Sequence, residues 1–180
     1  HMAGKGVIPT KEMVQKIKSA ADARIDQDFC IMARTDSAAV YGVDDVIDRL
    51  CQFVEAGADI CYADALMTVD DVKTVVENIP APLCVNMGLG FQTRGTTPLI
   101  TPKQLQTMGV AMVTFPRLLT TAAVKGMQNC MVAFKIMIEG EEPEVREDLQ
   151  VSFKEIGELM ELPMLDDLDE KYAVNGKTAE

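Results

Sequence analysis

Histidine occurs once among the 180 residues, at position 1, so a Ser-His-Asp or Cys-His dyad built within this chain has no well-anchored imidazole. The five cysteines (Cys30, Cys51, Cys61, Cys84 and Cys130) form no C-x-x-C pair, which argues against a His/Cys metal cage. No stretch of about 18 apolar residues is present, so no membrane-spanning helix is expected. Lysine and arginine nowhere cluster as phosphate contacts require, which argues against a nucleic-acid partner. The first residues also lack the basic-then-apolar layout of a secretory signal.

What is present is ordinary globular composition, 48% hydrophobic and 25% charged. The net charge of −11 is unevenly spread: residues 139–180 hold 14 of the 28 acids against four bases, and the preceding residues are close to neutral. The cysteine count is odd, and Cys30, Cys61 and Cys84 fall in apolar runs. Five reduced, structural thiols are therefore expected, which fits a reducing cytoplasm.

Four apolar runs recur, at Asp28–Ala33, Ala58–Ala63, Pro82–Asn86 and Val110–Pro116. Each is apolar at consecutive positions, the pattern of parallel strands covered on both faces. Helical segments lie between them. One opens at Thr10, taken as its cap, and runs to about Arg24. In Val43–Ala56 the apolar residues Val46, Ile47, Leu50, Phe53 and Val54 recur at helical spacing, and Gly57 follows as a stop. Thr68 and Thr101 open Val69–Asn78 and Pro102–Met108, and a longer helix spans about Leu118–Glu139. This alternation predicts an all-parallel α/β sheet with right-handed crossovers. After an acidic linker (Glu141–Asp148), two amphipathic helices are expected at Ser152–Met160 and Asp166–Tyr172, with Phe153, Ile156 and Leu159 in an apolar stripe that must cover something.

Chemistry in parallel α/β proteins gathers past the carboxyl ends of the strands. The first such end is Ala33-Arg34-Thr35-Asp36, where Arg34 offers a rigid fork for a carboxylate or phosphate, or else pairs with Asp36 or Asp64. The second carries Asp64, able to ligate a metal, to hold a metal-bound water, to orient Arg34, or simply to start a helix. The third ends at Asn86, before a glycine-rich stretch in which Gly88, Gly90 and Gly95 surround Arg94. That stretch could cradle an anion, but it has no Lys-Ser/Thr ending and is no nucleotide P-loop.

Gly4-Lys5, Ala33-Arg34-Thr35-Asp36-Ser37, Glu55-Ala56-Gly57-Ala58-Asp59, Val85-Asn86, Thr97-Pro98 and Phe115-Pro116 fall in an order that resembles the isocitrate lyase/phosphoenolpyruvate mutase superfamily. The tail from Val151 to Tyr172 also resembles the carboxy-terminal helices of its smaller members, such as methylisocitrate lyase, oxaloacetate decarboxylase and 2,3-dimethylmalate lyase. The resemblance implies a (β/α)8 TIM barrel of which residues 1–140 supply only strands five to eight. Residues 141–180 would be a helical extension for assembly, in a homotetramer. It also implies that Mg2+ (or Mn2+) takes its acids from strands outside this chain and meets Asp64 at most through water. Arg34 would clamp a substrate carboxylate and steady the developing charge. Asp64 would join the substrate site by holding a metal-bound water or Arg34, and Asn86 and the Gly88 backbone would orient the other end of the substrate. His1 would fall on the histidine of the family's mobile loop, whose catalytic cysteine would lie just before it; the alternative is that His1-Met2 is a cloning remnant.

Two departures bear on substrate. The family's usual glutamate is Asp64 here, and the arginine that methylisocitrate lyases carry after the last strand is matched by Thr121. The resemblance therefore implies a carbon–carbon lyase acting on a 2-hydroxy or 2-oxo dicarboxylate smaller than a tricarboxylate, of the substituted malate or oxaloacetate type. The reaction would be retro-aldol or decarboxylation chemistry through an enolate, with this chain alone inactive. The alternatives are a phosphonopyruvate mutase or hydrolase, and a non-catalytic half barrel that dimerises through residues 149–172.

Overall fold

The computed structural model describes residues 6–93 and 95–173, which form two compact units divided between Thr121 and Ala122. In the first unit α1 (Thr10–Ala23) precedes β1 (Met32–Thr35), a short α2 (Ala38–Tyr41), α3 (Val43–Glu55), β2 (Ile60–Ala63), α4 (Val69–Asn78), β3 (Leu83–Asn86), α5 (Pro102–Thr107) and β4 (Met112–Thr114). The four strands form one sheet in the order β1-β2-β3-β4, every pair parallel, as the alternating pattern predicted.

Alternation along each strand sorts the residues onto two faces. Ala33, Cys61, Ala63, Leu83 and Val85 belong to the core, together with Ile17 of α1, Val46, Leu50 and Phe53 of α3, Val72 and Val75 of α4, and Leu105 of α5. Burying side chains such as Leu50 or Phe53 contributes about 1.5–3 kcal/mol each. Arg34, Tyr62, Cys84 and Met112 stand in register on the opposite face. Met32 and Met112 on that face remain about 40% exposed (40% and 42%).

The helix boundaries follow their caps. Thr68 accepts from the Asp71 N–H and Thr101 from the Gln104 N–H, each as part of a reciprocal capping box. Gly57, at φ 109°, ends the α3 segment where an added Cβ would lie 2.8 Å from that of Ala21.

Three expectations are corrected. Thr10 is already helical: Pro9 occupies the cap position and no side chain caps α1. Residues 26–29 turn, with the Asp28 N–H bonding Asp26 Oδ1 and the Phe29 N–H bonding the Asp26 carbonyl, so β1 starts at Met32. Cys30 is consequently exposed, not buried in a strand; Cys61 and Cys84 are buried.

The second unit comprises most of α6 (Leu118–Glu139), which begins in the first, then α7 (Phe153–Leu159) and α8 (Leu162–Tyr172). Its boundary, between Thr121 and Ala122, lies before residue 140, where the expected barrel segment ends. Ser152 caps α7 in a third box with Glu155, and the two bonds from Ser152 hold that carboxyl below its usual range. No residue of α6, α7 or α8 is buried, and Phe153 is 96% exposed. A cavity of about 390 Å3 lies against Cys130, Phe134, Met137, Arg146 and Leu149. Among the described residues, no helix is long and apolar enough to cross a membrane.

Candidate active site

The carboxyl ends of β1, β2 and β3 bring Arg34, Asp64 and Asn86 together. The turn after β1 is built by Thr35, whose hydroxyl accepts from the Ser37 N–H at 3.2 Å and bonds Ser37 Oγ at 3.1 Å. Both residues are buried, which fixes Asp36 between them. The Asp64 N–H continues the ladder to the Thr35 carbonyl at 3.0 Å. Beyond Asp64, Ala65 is left-handed at φ 63° and only 2% exposed, so the backbone turns sharply in a packed environment.

Arg34 reaches both acids. Its Nε and Nη2 donate to Asp36 Oδ1 and Oδ2 at 2.6 and 3.0 Å, and Nη2 also donates to Asp64 Oδ2 at 2.6 Å. The guanidinium carbon lies 5.0 Å from the centroid of the Tyr62 ring. The hydrogen bond to Asp36 is the chief reason that the Arg34 pKa lies above its ordinary value, so the group stays cationic. Its side chain is nevertheless 49% exposed, whereas that of Asp64 is 1% exposed. Among the described residues no hydrogen bond uses Nη1. The fork is thus braced along one edge and open along the other.

Asn86 bridges the next strand end. Its Nδ2 donates to Asp64 Oδ1 at 3.4 Å, a long bond, and its Oδ1 accepts the Gly88 N–H at 2.8 Å. The Gly88 backbone, expected to orient substrate, thus bonds Asn86 through its N–H. The Met87 N–H bonds the Thr114 carbonyl at 2.8 Å and the Arg117 N–H bonds the Gly88 carbonyl at 3.3 Å, which ties this loop to the end of β4.

Tyr62 was not singled out from the sequence, although it stands two residues before Asp64 and so shares its strand face. Its hydroxyl lies 3.4 Å from Thr114 Oγ1, and burial pushes its phenol up from the ordinary value. Burial likewise raises the Cys61 and Cys84 thiols to about 11, which keeps both protonated near neutral pH. His1, Lys5 and Arg94 lie outside the described residues. Among the described residues no three His, Cys, Asp or Glu side chains form a group able to hold a metal ion, so these residues do not by themselves fit the implied divalent cation.

The phosphoenolpyruvate phosphomutase family model matches residues 1–135. A 2,3-dimethylmalate lyase of Eubacterium barkeri is 33% identical over 173 residues, spanning 96% of this chain and 57% of that protein. A 2-methylisocitrate lyase of Shewanella oneidensis is 39% identical over 135 residues, 73% of this chain and 45% of that protein. The crystal structure of a 2,3-dimethylmalate lyase superposes with a TM-score of 0.78 at 25% identity, over 100% of this chain and 59% of the other. The chain therefore spans about half the length of the curated relatives it matches.

Proposed function

The chain belongs to the phosphoenolpyruvate phosphomutase family, and on that premise we propose that it supplies strands five to eight of a (β/α)8 barrel that cleaves a carbon–carbon bond in a small 2-hydroxy or 2-oxo dicarboxylate. Two features support the barrel. Parallel sheets occur with both faces covered; here helices pack on one face, while Met32 and Met112 on the other stay exposed. Strands β1 and β4 are both free edges of the sheet, which a second set of strands would close.

The observation that carries the chemistry is the half-open guanidinium of Arg34. Asp36 and Asp64 hold it rigidly, and among the described residues Nη1 keeps its two N–H groups for a substrate carboxylate. In a retro-aldol cleavage a base from outside the described residues takes the 2-hydroxyl proton, and C2 becomes a carbonyl as the C2–C3 bond breaks. The electron pair passes to C3 as the enolate of the C4 carboxylate, and an acid from outside the described residues then protonates C3. A fixed cation at that carboxylate stabilises the developing charge without reorganising. Asp64 serves by bracing Arg34, and Asn86 by bracing Asp64.

A divalent cation, Mg2+ or Mn2+, would supply Lewis-acid stabilisation of the same charge. Its ligands would come from outside the described residues, and none of the roles above depends on it. Assembly as a homo-oligomer through residues 149–172 completes the proposal.

Arg34→Lys in the complete barrel tests this reading. Lysine keeps the charge but not the planar fork, so kcat/KM for a 2-hydroxy dicarboxylate should fall about a hundredfold while Tm hardly moves. Near-normal turnover with a much lower Tm would make Arg34 a structural ion-pair residue and overturn the assignment.

A further inference from the structure

Arg49, on α3, is only 6% exposed, an unusual place for a charge on the helix face that also carries Val46, Leu50 and Phe53. Such a cation must be fully partnered. Its Nε donates to Asp45 Oδ2 at 2.6 Å, one turn earlier, and its guanidinium carbon lies 5.9 Å from the Tyr41 ring centroid. Those two contacts satisfy the charge. The third does something else: Nη1 donates to the carbonyl oxygen of Ile8 at 2.9 Å, across 41 residues of chain.

Ile8 is itself 38% exposed, so its side chain anchors this segment only in part. A side-chain cap adds nothing, because Pro9 holds the cap position of α1 without any side-chain hydrogen bond. Among the described residues, the long-range hydrogen bond that holds the approach to α1 is the one from Arg49. Gly6, Val7 and Ile8 line a cavity of about 270 Å3 together with Arg49, Arg34 and Asp36. The residue that fixes this segment and the residue read above as the carboxylate fork therefore border one space.

We infer that Arg49 is a positioning residue for the carboxylate site: it fixes the Ile8 carbonyl, and so sets the wall that Gly6–Ile8 contribute to the cavity beside Arg34 and Asp36. This rests on the reading of Arg34 given above. Two measurements on the complete barrel test it. The first is amide hydrogen exchange at Glu12 and Met13, whose N–H groups bond the Pro9 carbonyl, with β1–β3 as reference. Arg49→Lys keeps a charge beside Asp45 but lacks a fork to span to Ile8 as well. Exchange at Glu12 and Met13 should rise about tenfold with the strands unchanged.

The second is a calorimetric titration with malonate as a bare dicarboxylate probe. Arg49→Lys should raise the malonate Kd about tenfold at an unchanged Tm. Arg34→Lys should abolish malonate binding yet leave exchange at Glu12 and Met13 as it was. If Arg49→Lys does not fold, Arg49→Gln, which removes the buried charge, carries the same two readouts. Unchanged exchange, or a rise shared by the strands, overturns the role of Arg49. If malonate does not bind the unaltered protein, or still binds after Arg34→Lys, the carboxylate reading falls, and the exchange result alone decides whether Arg49 holds the segment.

Discussion

The two units spend their apolar residues in opposite ways. In the first, α3 places Val46, Leu50 and Phe53 at no more than 1% exposure against the sheet. In the second, α7 leaves Phe153, Ile156 and Leu159 at 96%, 43% and 81%. Helical periodicity is clear in both, so periodicity alone does not reveal whether a stripe is already covered. What separates them is a partner within the chain: α3 has a parallel sheet to lie on, and the carboxy-terminal helices bury no residue among those described.

The sharpest way to break that comparison is one truncation made in each unit. Phe53→Ala should cost about 3–5 kcal/mol in denaturant melts, through lost transfer energy and the cavity left behind. Phe153→Ala should change the melt of the dissociated subunit by less than about 0.5 kcal/mol. Equal losses would mean that the second unit holds a core of its own. Removal of residues 149–180 addresses the same contrast through assembly. If the exposed stripe meets another copy, the complete protein should then sediment as smaller oligomers, and an unchanged profile would refute the assembly role.

The smallest effect concerns thiols. Cys30 is exposed and should react readily with a thiol reagent, whereas buried Cys61 and Cys84 should react only as the protein opens. Both buried thiols have folded pKa values raised to about 11 from the ordinary value of 9.0. Folding therefore favours their neutral form. Their contribution to stability is complete below the unfolded pKa and is lost as pH rises from about 9 towards about 11. A melting temperature that stays flat across that interval in the wild type, or falls equally in a Cys61→Ala, Cys84→Ala variant, would contradict this.

Much of the frame was legible because its signals are local. Val69–Asn78 and Leu118–Glu139 match to the residue; a Thr68–Asp71 box fixes the start of the first, and no proline interrupts the second. The start of β1 was not legible. Phe29 and Cys30 look like strand residues, but the Asp26 side chain and carbonyl draw the preceding residues into a turn. At the site, Arg34, Asp64 and Asn86 could be found because each closes an apolar run. Tyr62 and Arg49 could not be found that way. Tyr62 lies inside its run, and Arg49 sits in a stripe whose other members are apolar, so their roles depend on residues distant in sequence: Arg34 and Thr114 for one, Ile8 for the other.

Ala65 gives the loop after β2 a property that its neighbours lack. A left-handed φ of 63° costs an alanine about 1–2 kcal/mol that a glycine would not incur. Glycine, however, would gain backbone freedom at the position that follows Asp64, and with it a wider spread of carboxylate orientations. The alanine methyl instead confines the chain to one narrow basin, held there by the surrounding core. The strain at this one residue thus acts as a source of angular precision: the carboxylate that steadies Arg34 is aimed by a backbone with few alternatives.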